Sequence, residues 1–91
     1  MKYKLLKDDF KITIFGIKVF RVQYLTEELG GYIESESNLS QEGDARVYGN
    51  AQVSGDARVY GNAWVSGDAR VSGDAQVYGN AQVYGDARVS G

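Results

Sequence analysis

From Gly43 onward the apolar positions recur every sixth residue. They are Val47, Val53, Val59, Val65, Val71, Val77, Val83 and Val89, each preceded two residues earlier by an alanine, from Ala45 to Ala87. The chain here reads Gly-Asp/Asn-Ala-x-Val-y, eight times in register. A period of six does not fit an α-helix, because about 3.6 residues per turn would smear the valines around the axis. It fits one short strand and one turn per repeat. Ala and Val, two apart, face one side, while x and y face the other. Gly-Asp and Gly-Asn suit the corners, since Gly takes positive φ freely and Asp or Asn tolerates it. A flat meander turning at every Gly-Asp/Asn would leave a thin sheet with two bare edges. A coil that wraps each Ala-x-Val inward, so that successive turns pair in parallel, is the better solution.

Residues 1–42 are patterned differently and hold every Phe and Ile. Phe10–Phe15 and Ile17–Tyr24 read as two strands turning at Gly16, with Tyr3–Leu6 as a third. The adjacent pair Val19-Phe20 breaks alternation and suggests a bulge or a strand buried on both faces. The bland reading is a hydrophobic plug over the first coil, the atypical terminal unit that a solenoid requires. The alternative is an independent binding hairpin. Thr26–Gly31 reads as a turn or one short helical turn ended by glycine. Counting back in sixes from Ala45 reaches Leu39 and then Ile33, so the coil is expected to start early, with larger residues in the alanine slots. The expected organisation is a cap over 1–30 and a repeat region over 31–91, folding as one unit.

The unit Val-y-Gly-Asp/Asn-Ala-x resembles the hexapeptide repeat of left-handed β-helix proteins, a triangular prism with three hexads per coil. The resemblance covers 43–90 without interruption. It implies an all-β fold: a parallel, left-handed β-helix of about three coils capped by the N-terminal β-hairpin. Handedness comes from the resemblance alone, since general crossover rules favour right-handed connections. Leu29-Gly30-Gly31-Tyr32-Ile33-Glu34, then Asn38-Leu39-Ser40, then Gly-Asp-Ala-Arg-Val is similar to an uncharacterised group of hexapeptide-repeat proteins from phages and gut bacteria, with a short β cap before the repeats. That similarity implies an architecture and a phage or mobile-element source, and transfers no activity.

Composition narrows the chemistry. The 91 residues suit one small domain and include no Cys, no His and no Pro. Disulfides, thiolate nucleophiles, imidazole bases and His-ligated zinc are therefore excluded. Acyltransferases of the resembled fold generally use a His base and a loop leaving the prism, and γ-class carbonic anhydrases use three His ligands. No enzyme, cofactor or metal is expected. Ice binding would want threonine rows, but Thr13 and Thr26 are the only threonines. Nine-residue calcium repeats are absent. No run approaches the roughly 18 apolar residues of a membrane span. Asp8 and Asp9 arrive before any signal-peptide core. The expectation is a soluble protein in the cytoplasm of a bacterial host cell, with no membrane partner.

Charge is segregated. Residues 1–24 sum to about +4 (five Lys and Arg21, less Asp8 and Asp9), while 25–42 carry five glutamates. In the repeats Arg46, Arg58, Arg70 and Arg88 each follow an Asp by two residues. Ion pairs worth about 0–1 kcal/mol each are the default reading, and they leave no basic stripe for nucleic acid. The stacked Arg70 and Arg88 are the exception.

At 18 residues per coil the outward residues sort into faces. One stacks Arg46, Trp64 and Gln82 beside Tyr48, Ser66 and Tyr84. A second stacks Gln52, Arg70 and Arg88 beside serines. The third sets Arg58 over Gln76 and Tyr60 over Tyr78. Trp, Tyr and Arg are enriched at interface hot spots, so the candidate protein-binding residues are Trp64, Tyr48, Tyr60, Tyr78, Tyr84, Arg46 and Arg58. Tyrosine ladders that merely cover the corners are the structural alternative. The last hexad is followed by Gly91 alone, so an open end with Val83, Tyr84, Arg88 and Val89 is the expected homodimer interface. Two functions remain: a non-catalytic binder of a protein partner, or an assembly module that dimerises or polymerises through that end.

Overall fold

The computed structural model describes residues 2–13 and 16–90. Strand β1 (Tyr3–Ile12) pairs antiparallel with β2 (Lys18–Tyr24), which pairs antiparallel with β3 (Leu29–Ile33). A 3-10 turn at Glu36–Asn38 leads into eight two-residue strands. These are β4 (Arg46–Val47), β5 (Gln52–Val53), β6 (Arg58–Val59), β7 (Trp64–Val65), β8 (Arg70–Val71), β9 (Gln76–Val77), β10 (Gln82–Val83) and β11 (Arg88–Val89). They pair in parallel as β4-β7-β10, β5-β8-β11 and β6-β9, with Arg46 opposite Trp64, Gln52 opposite Arg70 and Arg58 opposite Gln76. Consecutive strands among β4–β11 do not pair with one another, so a meander of the repeats is excluded. The chain is a parallel β-solenoid of about three coils.

The expected chemistry makes the corners. The glycines from Gly43 to Gly85 all have φ between 64° and 73°, a region in which a Cβ is strained. The inward Ala and Val residues from Ala45 to Val77 are buried and form one core with Tyr3, Val22, Tyr24, Ile33 and Leu39.

The first coil departs from the count. Ile33 and Leu39 are buried as expected, but Ile33 pairs with Val53 and Leu39 with Val59. They therefore occupy valine slots, not alanine slots. The coil above the perfect repeats is two residues longer, and the excess lies between Leu39 and Val47, where Gln41 and Glu42 fall.

The cap also differs in detail. Tyr3–Ile12 is one continuous strand rather than two, with the register shift between Leu6 and Phe10. The irregularity expected at Val19-Phe20 thus falls on β1 at Lys7-Asp8-Asp9, where polar residues can leave the ladder at least cost. Ile14 and Phe15, placed in the first strand by the sequence pattern, lie outside the described residues, as does Gly91. Gly16 has φ 80° at the turn. Gly30 and Gly31 do not end a helical turn; they lie inside β3 and are buried. A Cβ on Gly30 would meet the Val47 carbonyl at 2.5 Å, and one on Gly31 would meet Val47 Cγ1 at 2.6 Å. Glycine lets β3 run against the coil.

The hairpin continues one wall of the prism, giving a sheet ordered β1-β2-β3-β5-β8-β11. Side chains close the other two walls. The Tyr24 hydroxyl accepts from the Val47 N–H (2.8 Å) and donates to the Val47 carbonyl (3.0 Å). Lys2 Nζ donates to the Ala45 carbonyl (2.7 Å). Asn38 Nδ2 donates to the carbonyls of Gly55 (3.1 Å) and Ala57 (2.7 Å). The Tyr3 hydroxyl donates to the Leu39 carbonyl. Gln41 covers the outer edge of β1, where Oε1 accepts from the Tyr3 N–H (3.1 Å) and Nε2 donates to the Tyr3 carbonyl (3.3 Å). The bonds to Val47, Ala45, Gly55, Ala57 and Leu39 replace backbone partners that a further coil would have supplied, which satisfies groups that are costly to bury unpaired.

Candidate interaction surfaces

The regular register places the outward residues in the columns expected from the sequence. On the β4-β7-β10 wall, Tyr48 packs between Tyr24 (ring centroids 5.7 Å) and Trp64 (5.7 Å, edge-on). Arg46 lies over the Tyr24 ring at 4.7 Å. With the Tyr3–Tyr24 contact at 6.3 Å, the aromatic contacts run unbroken from the buried cap to the surface. Trp64 is 46% exposed at the outer end of that series. One edge of its ring is therefore held by Tyr48 while much of the ring faces solvent.

On the β6-β9 wall Tyr60 and Tyr78 stack nearly parallel, at 5.4 Å and 10°. The Tyr60 hydroxyl donates to Gln76 Oε1 at 3.0 Å. Tyr78 is exposed, and Arg58 with Tyr60 and Gln76 lines a recess of about 470 Å³ whose far wall is Glu36 and Gln41. The structure thus brings the candidate residues together as two groups, Arg46-Tyr48-Trp64 and Arg58-Tyr60-Tyr78. Tyr84 belongs to neither: it is 68% exposed and has no aromatic contact among the described residues. A ladder role describes Tyr60 with Tyr78 and does not describe Tyr84.

The expected Arg–Asp pairs within the repeats do not form. Among the described residues the cation–carboxylate contact within 4 Å is Arg21 Nε to Asp9 Oδ2, at 3.2 Å in the cap. Corner side chains bond to their counterparts one coil away instead, Asn50 to Asp68 at 3.5 Å and Asn62 to Asn80 at 3.4 Å. Spacing along one repeat is less important here than the vertical stacking of equivalent positions. Arg70 and Arg88 share a shallow groove of about 450 Å³ with Lys11, Asp68 and Asp86.

Three groups in the cap titrate away from their ordinary values. Burial pushes the Tyr24 hydroxyl up to about 12, against a smaller opposing effect of its hydrogen bond to Val47. Burial likewise raises Tyr3, and it lowers Lys2 with help from Arg46. All three are capping groups.

A third surface lies on the hairpin, for which the sequence offered a binding role as the alternative to a plug without naming its residues. Lys7 Nζ lies 4.4 Å over the Phe20 ring and Lys18 Nζ 4.4 Å over the Phe10 ring. Lys11 and Arg21 both lie over Tyr32, at 4.7 and 4.6 Å. Phe10 is 44% and Ile12 55% exposed. The signal was present as Lys alternating with Phe and Ile, but the bulge at 7–9 decides which lysine reaches which ring.

No helix of the described residues is long and apolar enough to cross a membrane, and no group of three or more His, Cys, Asp or Glu residues among them is placed to hold a metal ion. Fold and surface together define a β-solenoid repeat protein. The repeats are similar to a family described as the YdcK beta solenoid repeat, whose model matches residues 51–67, 65–79 and 81–91. No curated protein matches the chain.

Proposed function

We propose that this chain is a small, non-catalytic binding protein of phage or mobile-element type, which acts stoichiometrically on a protein partner in a bacterial cytoplasm. A component of host defence is the class of target that fits such a source. The observation that carries the reading is the half-exposed Trp64, seated on Tyr48 beside Arg46. An aromatic anchor fixed by its neighbours loses little freedom on binding, and Trp, Tyr and Arg dominate interface energetics. The second group, Arg58-Tyr60-Tyr78, extends the surface around the prism.

The test is affinity capture from a bacterial lysate with wild-type protein and with Trp64→Ala in parallel, followed by calorimetry on the captured partner. Trp64→Ala is expected to keep its circular dichroism spectrum and to weaken binding about 30-fold or more, the scale of a hot-spot residue. Equal binding by both proteins would overturn the reading, and loss of fold in the variant would reassign Trp64 to structure.

Assembly through the C-terminal coil is the second reading, favoured by the exposure of that coil. Ala81 and Ala87 are exposed and Val83 and Val89 are only partly buried, beside exposed Tyr84 and Arg88. A two-fold contact between two such surfaces would close as a dimer, whereas a head-to-tail contact would propagate. Light scattering behind a sizing column separates dimer, filament and monomer, and a monomer of about 10 kDa removes this reading.

A further inference from the structure

We infer that the outer half of the hairpin, Lys7–Ile12 with Lys18–Arg21, is a second docking surface, for an acidic amphipathic segment of a protein. The hairpin combines the two features such a partner needs. It presents exposed apolar carbon in Phe10 and Ile12 beside the cations Lys7 and Lys18, which lie over the Phe20 and Phe10 rings. Lys11 and Arg21 lie over Tyr32 on the opposite face, and the hairpin as a whole carries these four cations against Asp8 and Asp9. The protein as a whole is acidic, with net charge −2, so this local excess is a property of the hairpin and not of the chain.

The cations are also prepared. The Lys7 and Lys18 ammoniums are partly desolvated on the side facing the aromatic, each at 4.4 Å, and keep donors for an incoming carboxylate. A partner carboxylate would complete a ring–ammonium–carboxylate sandwich, while its apolar side chains cover Phe10 and Ile12. Asp9 is already paired with Arg21, which leaves Asp8 as the remaining carboxylate of the bulge.

The same geometry disfavours nucleic acid. Lysines occupy faces of the Phe10 and Phe20 rings, so bases cannot stack there without displacing them. The five glutamates of 25–42 would also repel a long polyanion. A short acidic segment avoids that repulsion. This surface is separate from Trp64, so its failure and that of the proposed function can be told apart.

The test uses the full chain and a synthetic peptide of alternating Glu and Val, with its Gln-for-Glu analogue, a single-stranded oligothymidylate and phosphatidylserine-containing vesicles as comparators. Nitrogen-15 chemical-shift titration at low salt is expected to show the Glu peptide perturbing hairpin amides and binding at least tenfold tighter than the Gln analogue. The binding should weaken in 0.5 M salt. Lys7→Glu with Lys18→Glu should abolish it, Phe10→Ser should weaken it severalfold, and Trp64→Ala should leave it unchanged. Equal binding of the two peptides, no binding of either, or tighter binding of oligonucleotide or vesicles would each overturn the inference. The comparison of peptides on wild-type protein stands even if a hairpin variant fails to fold.

Discussion

The coil under the cap and the coil that ends the described residues differ in whether their outermost backbone groups find partners. At the N-terminal end the last backbone groups of the coil meet Tyr24, Lys2, Asn38 and Tyr3, and the inward residues Ile33 and Leu39 are fully buried. In the coil that ends the described residues, the N–H groups of Gln82, Tyr84 and Arg88 make none of the rung bonds that Trp64, Ser66 and Arg70 make to Ala81, Val83 and Ala87. Ala81 and Ala87 are exposed, and Val83 and Val89 partly so. The inward slots are of the same kind at both ends, although the N-terminal coil fills them with Ile33 and Leu39 and the last with valines. What differs is the presence of neighbours, so stability in this fold belongs to the stack rather than to the hexad.

The comparison can be broken first by deleting equivalent apolar residues. Leu39→Ala should destabilise the protein by about 2–5 kcal/mol, whereas Val89→Ala should cost well under ~1 kcal/mol because its site is already open to water. Urea melts followed by circular dichroism give both values, and equal losses would show that the last coil is as tightly held as the cap.

Removing one hydroxyl is the next largest effect. Tyr24→Phe leaves the Val47 N–H and carbonyl unpaired in a buried site and should cost about 2 kcal/mol. Tyr84→Phe, on an exposed ring, should be silent in the same melts.

Glycine substitutions sharpen the contrast further, because the backbone angle is the same and only the neighbour changes. Gly67 and Gly85 have φ of 68° and 64°. An alanine Cβ at Gly67 would meet the Gly85 nitrogen at 2.9 Å, while at Gly85 nothing lies within 4 Å. Both variants carry about 1–2 kcal/mol of left-handed strain, and Gly67→Ala should lose more. Thermal denaturation of the pair would measure the difference.

A further expected effect is alkaline. Tyr24 is raised to about 12 from an ordinary value of 10, and Tyr3 is raised as well. A group raised on folding contributes stability that is complete below its unfolded value and is lost as pH climbs to the folded one. Stability should therefore fall between about pH 10 and pH 12. The lowered Lys2 acts in the opposite sense below pH 10.5 and partly offsets the loss. A denaturation series across this range, repeated on Tyr24→Phe, checks it, since that variant should show a shallower decline.

Much of this was legible in the residues. The six-residue period placed Arg46 over Trp64 and Tyr60 over Tyr78, because a strictly repeated unit makes stacking a matter of counting. Counting failed where the repeat did. The added pair near Gln41 and Glu42 moved Ile33 and Leu39 into valine slots, and no local preference announces a two-residue insertion in a polar corner. Gly30 and Gly31 read as a stop signal because a glycine needed for close approach looks, in sequence, like one needed for a turn. The Arg–Asp spacing suggested pairs within each hexad, yet Asn50 bonds to Asp68 across 18 positions.

The sequence by itself determined the coil, its inward alanines and valines, the positive-φ corners and the columns of outward residues, because each follows from a local period. Only the tertiary structure decided how the coil is closed. Tyr24 and Val47 are 23 residues apart, Lys2 and Ala45 43 apart, and Tyr3 and Gln41 38 apart. Such pairings depend on where the hairpin docks, and docking is set by packing and by the demand of buried backbone groups for partners. No period in the sequence encodes that demand.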